Sequence, residues 1–401
     1  MKRNGGFSML ELAISMGIIA AVTASIFGIV GPAHGSFSVQ PEAADMQQRL
    51  RVATDTLSRD LVMAGAGSYS GAAAGPLGDH FAPILPYRHG ASGADPVGTY
   101  RADTVTLLYV GSAVAQTTTA TAVDSHSSVF TLNIDKGCPV GAAACGFQAG
   151  DTALIYDAEG RFDTFRLTSV SANGGTMVLN APADAVATSY KAGAKMVKAT
   201  ERTYSLKRDP VTGFSQLVYY DGSSNADTPI ADHVVGLTFE YYGDPQPPTP
   251  TRPACDATAT APCSSYGPPA PPPGVRTTAY PAGENCAFTF DPGSPGNGVQ
   301  VPRLDIIGGD PSRHTLVRLT QARLTDGPWC PDVDSANAFD ADLFRIRKIA
   351  VTIRVEAAVD AMRGPASAFF TRGGTAKNPM ALLPDQEIRF EALPRNLNLG
   401  R

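Results

Sequence analysis

The chain has 401 residues, 43% of them hydrophobic and 17% charged, which excludes a low-hydrophobicity disordered sequence. Its 32 basic and 37 acidic residues give a net charge of −5, without the basic excess expected of a general nucleic-acid binder. Forty Gly and 32 Pro exceed the usual share but stop short of low complexity throughout, and a mean hydropathy of −0.06 excludes a polytopic membrane protein. The length admits one large domain or two ordinary ones.

The first element is an apolar helix. No formally charged side chain occurs from Leu12 to Pro41, and no proline interrupts before Pro32. Phe7–Val30, coiled at ~1.5 Å per residue, spans ~36 Å, enough for a bilayer core of ~30 Å. Lys2 and Arg3 precede it, so the positive-inside rule predicts a cytoplasmic N-terminus with the remainder exported. Glu11 stands out, because a carboxylate in such a helix costs roughly 2.5–3.5 kcal/mol near the bilayer centre and less near an interface. A passive anchor has no use for it, so a positive partner is expected.

Gly6-Phe7-Ser8-Met9-Leu10-Glu11 resembles the processing site of type IV prepilins and pseudopilins. The resemblance implies a leader of residues 1–6 cleaved after Gly6 by prepilin peptidase, with Phe7 as the N-methylated mature terminus. It also implies that Glu11, as the fifth mature residue, pairs during assembly with the α-ammonium of a neighbouring subunit. Such a pairing would offset much of the carboxylate's desolvation cost. An ordinary secretory signal cleaved near Ala33-His34-Gly35 and an unprocessed single-span anchor are the alternatives.

A second, amphipathic helix is expected within residues 31–66. Met46, Leu50, Ala53, Leu57, Leu61 and Ala64 form its apolar stripe. Asp45, Arg49, Asp55, Arg59 and Asp60 read as a solvated face, with Asp45/Arg49 and Asp55/Arg59 as i,i+4 pairs. Pro32 and Gly35 should bend or break the helix between its halves, and Gly65 and Gly67 should end it.

Beyond Gly67 the period changes to two. Strands are expected at 103–110, 129–134, 152–156, 164–170, 177–180, 202–207, 216–220, 234–242, 315–324, 348–357 and 387–393. The clearest is 348–357, where Ile349, Val351, Ile353 and Val355 alternate with Lys348, Thr352, Arg354 and Glu356. The pattern predicts an α+β fold with antiparallel sheets packed on the amphipathic helix. Fourteen prolines between Pro245 and Pro295 mark residues 245–302 as an irregular insertion within the exported head, residues 67–401.

Gln47-Gln48-Arg49-Leu50-Arg51-Val52-Ala53, Leu57-Ser58-Arg59-Asp60-Leu61 and Ala64-Gly65 are similar to the PilW-type minor pilins and to the J-type minor pseudopilins of type II secretion. So are Arg202–Leu206, Val234–Tyr242 and Arg395-Asn396-Leu397. This implies a pilin-like fold, with a long N-terminal helix on an antiparallel sheet. It further implies a role in pilus assembly, initiation or tip structure, a position in the inner membrane before assembly, and one in the filament, periplasm or cell surface afterwards. Implied partners are other major and minor pilins, prepilin peptidase, the inner-membrane assembly platform and the inner membrane itself; no nucleic acid is expected. A minor pseudopilin, or a tip adhesin or DNA-uptake receptor, is the alternative.

The six cysteines, Cys138, Cys145, Cys255, Cys263, Cys286 and Cys330, all follow the apolar segment, so an exported head would hold them as disulfides. Fifteen full pairings are possible. Cys138–Cys145, Cys255–Cys263 and Cys286–Cys330 are favoured because the first two close short Gly/Ala- or Pro-rich loops. No nucleophile elbow, phosphate loop or zinc-ligand spacing occurs, so neither an enzyme nor a cofactor is expected. Asp332, Asp334, Asp340 and Asp342 could offer oxygens to Ca²⁺, but they lack the EF-hand glycine and glutamate, and a solvated loop is the better reading.

Overall fold

The computed structural model describes residues 8–67, 77, 81–96, 99–111, 115–134, 138, 143–157, 161–173, 175–222, 226–244, 274–278, 288–302, 315–324, 341–364 and 383–397. The chain divides into two compact units. One comprises residues 1–51 with 355–386, the other residues 52–354 with 387–401.

Helix α1 runs from Met9 to Met63 without interruption, through Pro32 and Gly35. The expected break is therefore absent. A proline forfeits one i→i−4 bond, and the turns on either side keep theirs. In the first unit Met46 and Leu50 are buried, Arg49 pairs with Asp45, and Glu42 accepts a hydrogen bond from the Ala358 amide. There too Arg363 donates to the Ala357 carbonyl at 2.7 Å and lies 3.4 Å from Glu356.

In the second unit Ala53, Leu57, Leu61 and Ala64 are fully buried, which gives the helix its packed stripe. The helix ends at Gly65, where φ is +79° and a side chain would meet Leu397 at 2.9 Å. Asn396 Nδ2 lies 3.4 Å from the Met63 carbonyl, so the Arg395–Leu397 turn covers this helix end.

The helix packs on antiparallel sheet. Strands β1 (Ile84–Leu85), β2 (Val105–Tyr109), β10 (Thr200–Arg208), β11 (Ser215–Tyr220) and β12 (Thr228–Asp232) form a five-stranded sheet in the order β1-β2-β10-β11-β12. β2 and β10 are antiparallel neighbours, with Thr106 opposite Thr203, yet the chain between them builds a second core. There β3 (Gln116–Thr118), β5 (Thr152–Tyr156), β6 (Phe162–Arg166) and β9 (Lys195–Lys198) form one sheet, and β4 (Val129–Asn133), β7 (Ser169–Asn173) and β8 (Thr176–Asn180) another. Phe130 and Leu132 alternate inward from β4, as do Met177 and Leu179 from β8. The Phe130 and Phe165 rings stack with centroids 4.5 Å apart. A strand with one apolar face must bury it, and this insertion does so among its own strands.

β13 (Val234–Gly243), β16 (Val317–Leu319), β17 (Ile346–Val355) and β18 (Gln386–Ala392) make a four-stranded sheet in the order β16-β13-β17-β18. Charged side chains cross it: Glu240 lies 2.6 Å from Arg318 and 2.7 Å from Arg389, and Lys348 is 3.0 Å from Glu391.

Several expectations are revised. The strand at 164–170 is two strands, β6 and β7, because the chain changes sheets at Leu167 and Thr168. Leu167 exchanges hydrogen bonds with the 150–151 turn, and the Thr168 amide donates to Asn180 at 2.7 Å. The strand at 315–324 stops at Leu319, where pairing with β13 ends, and Gln321–Leu324 form a helical turn, α2. In 348–357 the apolar residues are buried as expected, but Arg354 and Glu356 are buried as well. Within the proline-rich insertion β14 (Phe288–Phe290) pairs with β15 (Gln300–Pro302), and Thr277 bridges to Gln300. Residues 245–273 and 279–287 lie outside the described residues.

Candidate functional site

Of the three residues expected to direct processing and assembly, Gly6 and Phe7 lie outside the described residues. Glu11 is described and exposed, in the first turn of α1. The Ser8 amide donates to its Oε2 at 3.0 Å, and its own amide donates to Ser8 Oγ at 3.2 Å. This is a capping box, with Ser8 as N-cap and Glu11 at the third helical position, and it satisfies two amides that have no carbonyl partner in the helix. The sequence signal was available as Ser-x-x-Glu ahead of an apolar run. The local partner of Glu11 is thus an amide, which gives the carboxylate a structural task independent of any cation.

Following that box, Met9–Ile26 is a helical segment long and apolar enough to cross a membrane. Its Met, Leu, Ile and Val side chains keep between 52% and 92% of their surface exposed. A row of large apolar side chains on one helix, more than half exposed among the described residues, suits a non-aqueous surrounding or other helices. Ser15 and Ser25 donate their hydroxyls back to the Leu12 and Ala21 carbonyls at 2.9 and 2.8 Å, which removes the polar groups that water would otherwise solvate.

At the other end of the helix Asp60 corrects the reading of a solvated face. It is buried, and its carboxylate accepts hydrogen bonds from the Tyr204 hydroxyl at 2.5 Å and the Tyr109 hydroxyl at 3.0 Å. Burial, and then the Asp60 charge, push both phenols well above their ordinary range, so both remain donors. The spacing places Asp60 within the apolar stripe, three residues after Leu57 and four before Ala64. That position was the available signal.

A third polar centre, not anticipated from the sequence, joins the five-stranded sheet to the inserted strands. Glu201 on β10 has a fully buried side chain; it accepts a hydrogen bond from Thr164 of β6 and lies 3.1 Å from His89 Nδ1. The His89 and Phe162 ring centroids are 5.2 Å apart with the planes tilted, and Phe162 stacks on Phe81 at 4.3 Å. Next to Phe162 on β6, Asp163 is buried and accepts from the Tyr190 hydroxyl at 2.6 Å and the Ala187 amide at 3.2 Å.

Cys138 and Cys145 are joined as a disulfide with Cα atoms 4.6 Å apart, against the core of the inserted strands. Cys255, Cys263, Cys286 and Cys330 lie outside the described residues, as do Asp332, Asp334 and Asp340. Asp342 belongs to the Ala341–Arg345 turn, and its side chain is outside the description. Among the described residues no three His, Cys, Asp or Glu side chains converge to hold a metal.

No family model matches the chain, and no curated protein matches it. Among solved structures, the phage phi92 endosialidase is similar at 10% identity and a TM-score of 0.14, over 39% of this chain and 33% of that one. The match spans about a third of that structure's length, and a likeness so slight carries no argument about fold or function.

Proposed function

We propose that the chain is a prepilin-like minor pilin, cleaved after Gly6, methylated on Phe7 and held in the inner membrane by its first helix until it enters a filament. Its work is structural rather than enzymatic. The uncovered apolar helix packs among the helices of major and minor pilins, Glu11 sets register by meeting a neighbour's α-ammonium, and the head, with its inserted strands, faces the exterior. A large, irregular head suits initiation or capping of a filament better than a position repeated along it.

The observation that supports this reading best is the conjunction at the start of α1. The apolar, exposed segment Met9–Ile26 begins one residue after Gly6-Phe7, across the Ser8 cap, and Glu11 is fixed in its first turn. A bare apolar surface of that length is costly in water, so it is useful only to a protein that exchanges lipid for neighbouring helices.

The test is N-terminal sequencing and mass spectrometry of the full chain expressed with and without prepilin peptidase. Methyl-Phe7 as first residue, dependent on the peptidase and abolished in Gly6→Val, is the expected result. A mature chain beginning near Ser36, or an intact Met1 in both strains, overturns the proposal.

A further inference from the structure

Between β1 and β2 the chain forms a loop whose ends are closed by the Arg101 amide donating to the Pro86 carbonyl at 2.7 Å. The loop is stapled to β11 and to the residues just after it. The Ser92 amide donates to the Tyr220 hydroxyl at 2.9 Å, the Ala91 amide donates to the Gly222 carbonyl at 2.9 Å, and the Arg88 guanidinium lies 4.0 Å above the Tyr220 ring. Within the loop the Asp95 amide donates to the Arg88 carbonyl at 2.9 Å. Gly90, at φ +115°, leaves room for Tyr220, and Gly222, at φ +79°, leaves room for the Glu201 carboxylate.

At the centre of this contact is His89. Its backbone amide donates to Thr106 Oγ1 of β2 at 3.2 Å, and its side chain reaches Glu201 of β10 and the Phe162 ring of β6. One imidazole therefore touches the loop's own sheet and the inserted strands together. Glu201 is wholly buried, and among the described residues His89 is the basic side chain within ion-pair distance of it. The Thr164 hydroxyl is its other hydrogen-bond partner. Of the other charges around the site, Arg88 pairs with Asp227 at 2.9 Å and Asp95 with Arg101 at 2.6 Å, while Asp163, whose charge also reaches His89, accepts from Tyr190, Thr188 and the Ala187 amide.

We propose that the His89–Glu201 pair is a pH-operated latch. While His89 holds its proton, residues 86–96 stay seated on the five-stranded sheet and the inserted strands. Loss of the imidazole proton removes the charged half of the pair and loosens that seat, while the contacts to Tyr220 and Gly222 remain. The step is a single deprotonation, from the His89 imidazolium to water.

The electrostatics agree in sign. Burial by itself drives the imidazole toward neutrality, but the charge and hydrogen bond of Glu201, with Asp163 behind it, more than reverse this and raise His89 above its ordinary 6.5. A raised pKa in the folded state means that the latch contributes fully below pH 6.5 and is lost as pH climbs through the raised value. The loop therefore opens on the alkaline side, whereas acid leaves this pair's contribution intact.

Hydrogen exchange on the full chain in detergent tests this, at pH 6.5 and 8.5 with intrinsic exchange rates divided out. The amides of Ala91, Ser92 and Asp95 should lose protection by up to tenfold per pH unit, the slope for one released proton, while those of β17 hold theirs. His89→Gln should leave these loop amides poorly protected at both pH values. Glu201→Gln removes the buried charge and should keep them protected at both. Wild-type loop protection that is equal at the two pH values overturns the latch. So does a loss shared equally by β17, or a pH response that persists in either variant.

Discussion

Helix α1 carries two carboxylates near its two ends, and they live in opposite surroundings. Glu11 is exposed among bare apolar side chains and is held by a single backbone amide. Asp60 is buried among covered apolar side chains and is held by two tyrosine hydroxyls from two strands. The helix around each is similarly apolar, yet Leu57 and Leu61 are fully buried whereas Ile18 and Ile19 are 59% and 64% exposed. The comparison separates two uses of one helix. At the Asp60 end the surface is already satisfied within the chain, and the carboxylate is part of the fold. At the Glu11 end the surface is unsatisfied, and the carboxylate is available to whatever comes to cover it.

Breaking the buried end should cost the most. Asp60→Leu leaves the buried Tyr204 hydroxyl and the half-buried Tyr109 hydroxyl without this acceptor and removes two hydrogen bonds to a carboxylate, for a loss of about 4 kcal/mol. Asp60→Asn keeps one acceptor oxygen and should lose about half as much. Urea unfolding of the full chain in detergent, followed by tyrosine fluorescence, reads both. An Asp60→Leu variant as stable as wild type would mean that the hydroxyls find other partners and that Asp60 is not a structural tie.

The apolar residues give the next contrast. Leu61→Ala opens a cavity in a fully buried site and should cost about 3 kcal/mol in the same measurement. Ile18→Ala deletes a comparable hydrocarbon from the bare end and should move head stability by less than about 0.5 kcal/mol. It should instead weaken partition into liposomes, at about 0.8 kcal/mol for each methylene removed. Equal destabilisation of the head by both variants would erase the distinction between the covered and uncovered ends.

How far the sequence discloses this arrangement depends on the range over which each signal acts. Alternation is local, so the strand at Thr152–Tyr156 falls where its residues predict, and the apolar run before Pro32 is evident by inspection. The partners of Asp60 stand 49 and 144 residues away, and His89 is 112 residues from Glu201. A charge reads as solvent-facing unless its distant partner is known, and Arg354 and Glu356, on the polar side of an alternating strand, are buried all the same. Short strands such as Gln116–Thr118 and Lys195–Lys198 lack enough residues for a period and exist because they pair with each other. The inserted core is hidden for a related reason: alternation marks its strands but not their sheet, and only pairing assigns them to it.

The smallest change in stability should come from Glu11→Gln, and it is the sharpest test of what that residue is for. Glutamine at the third helical position still accepts from the Ser8 amide, so the capping box survives and the helix start should lose no more than about 0.5 kcal/mol. Ser8→Ala removes the other half of the box while leaving the charge in place. If Glu11 serves only to begin the helix, Ser8→Ala should impair filament entry at least as much as Glu11→Gln. If its charge meets a neighbour's ammonium, Glu11→Gln should abolish entry although the helix is intact, and Ser8→Ala should retain most of it. Immunodetection of the chain in sheared filaments, beside circular dichroism of the detergent-solubilised variants, distinguishes the two.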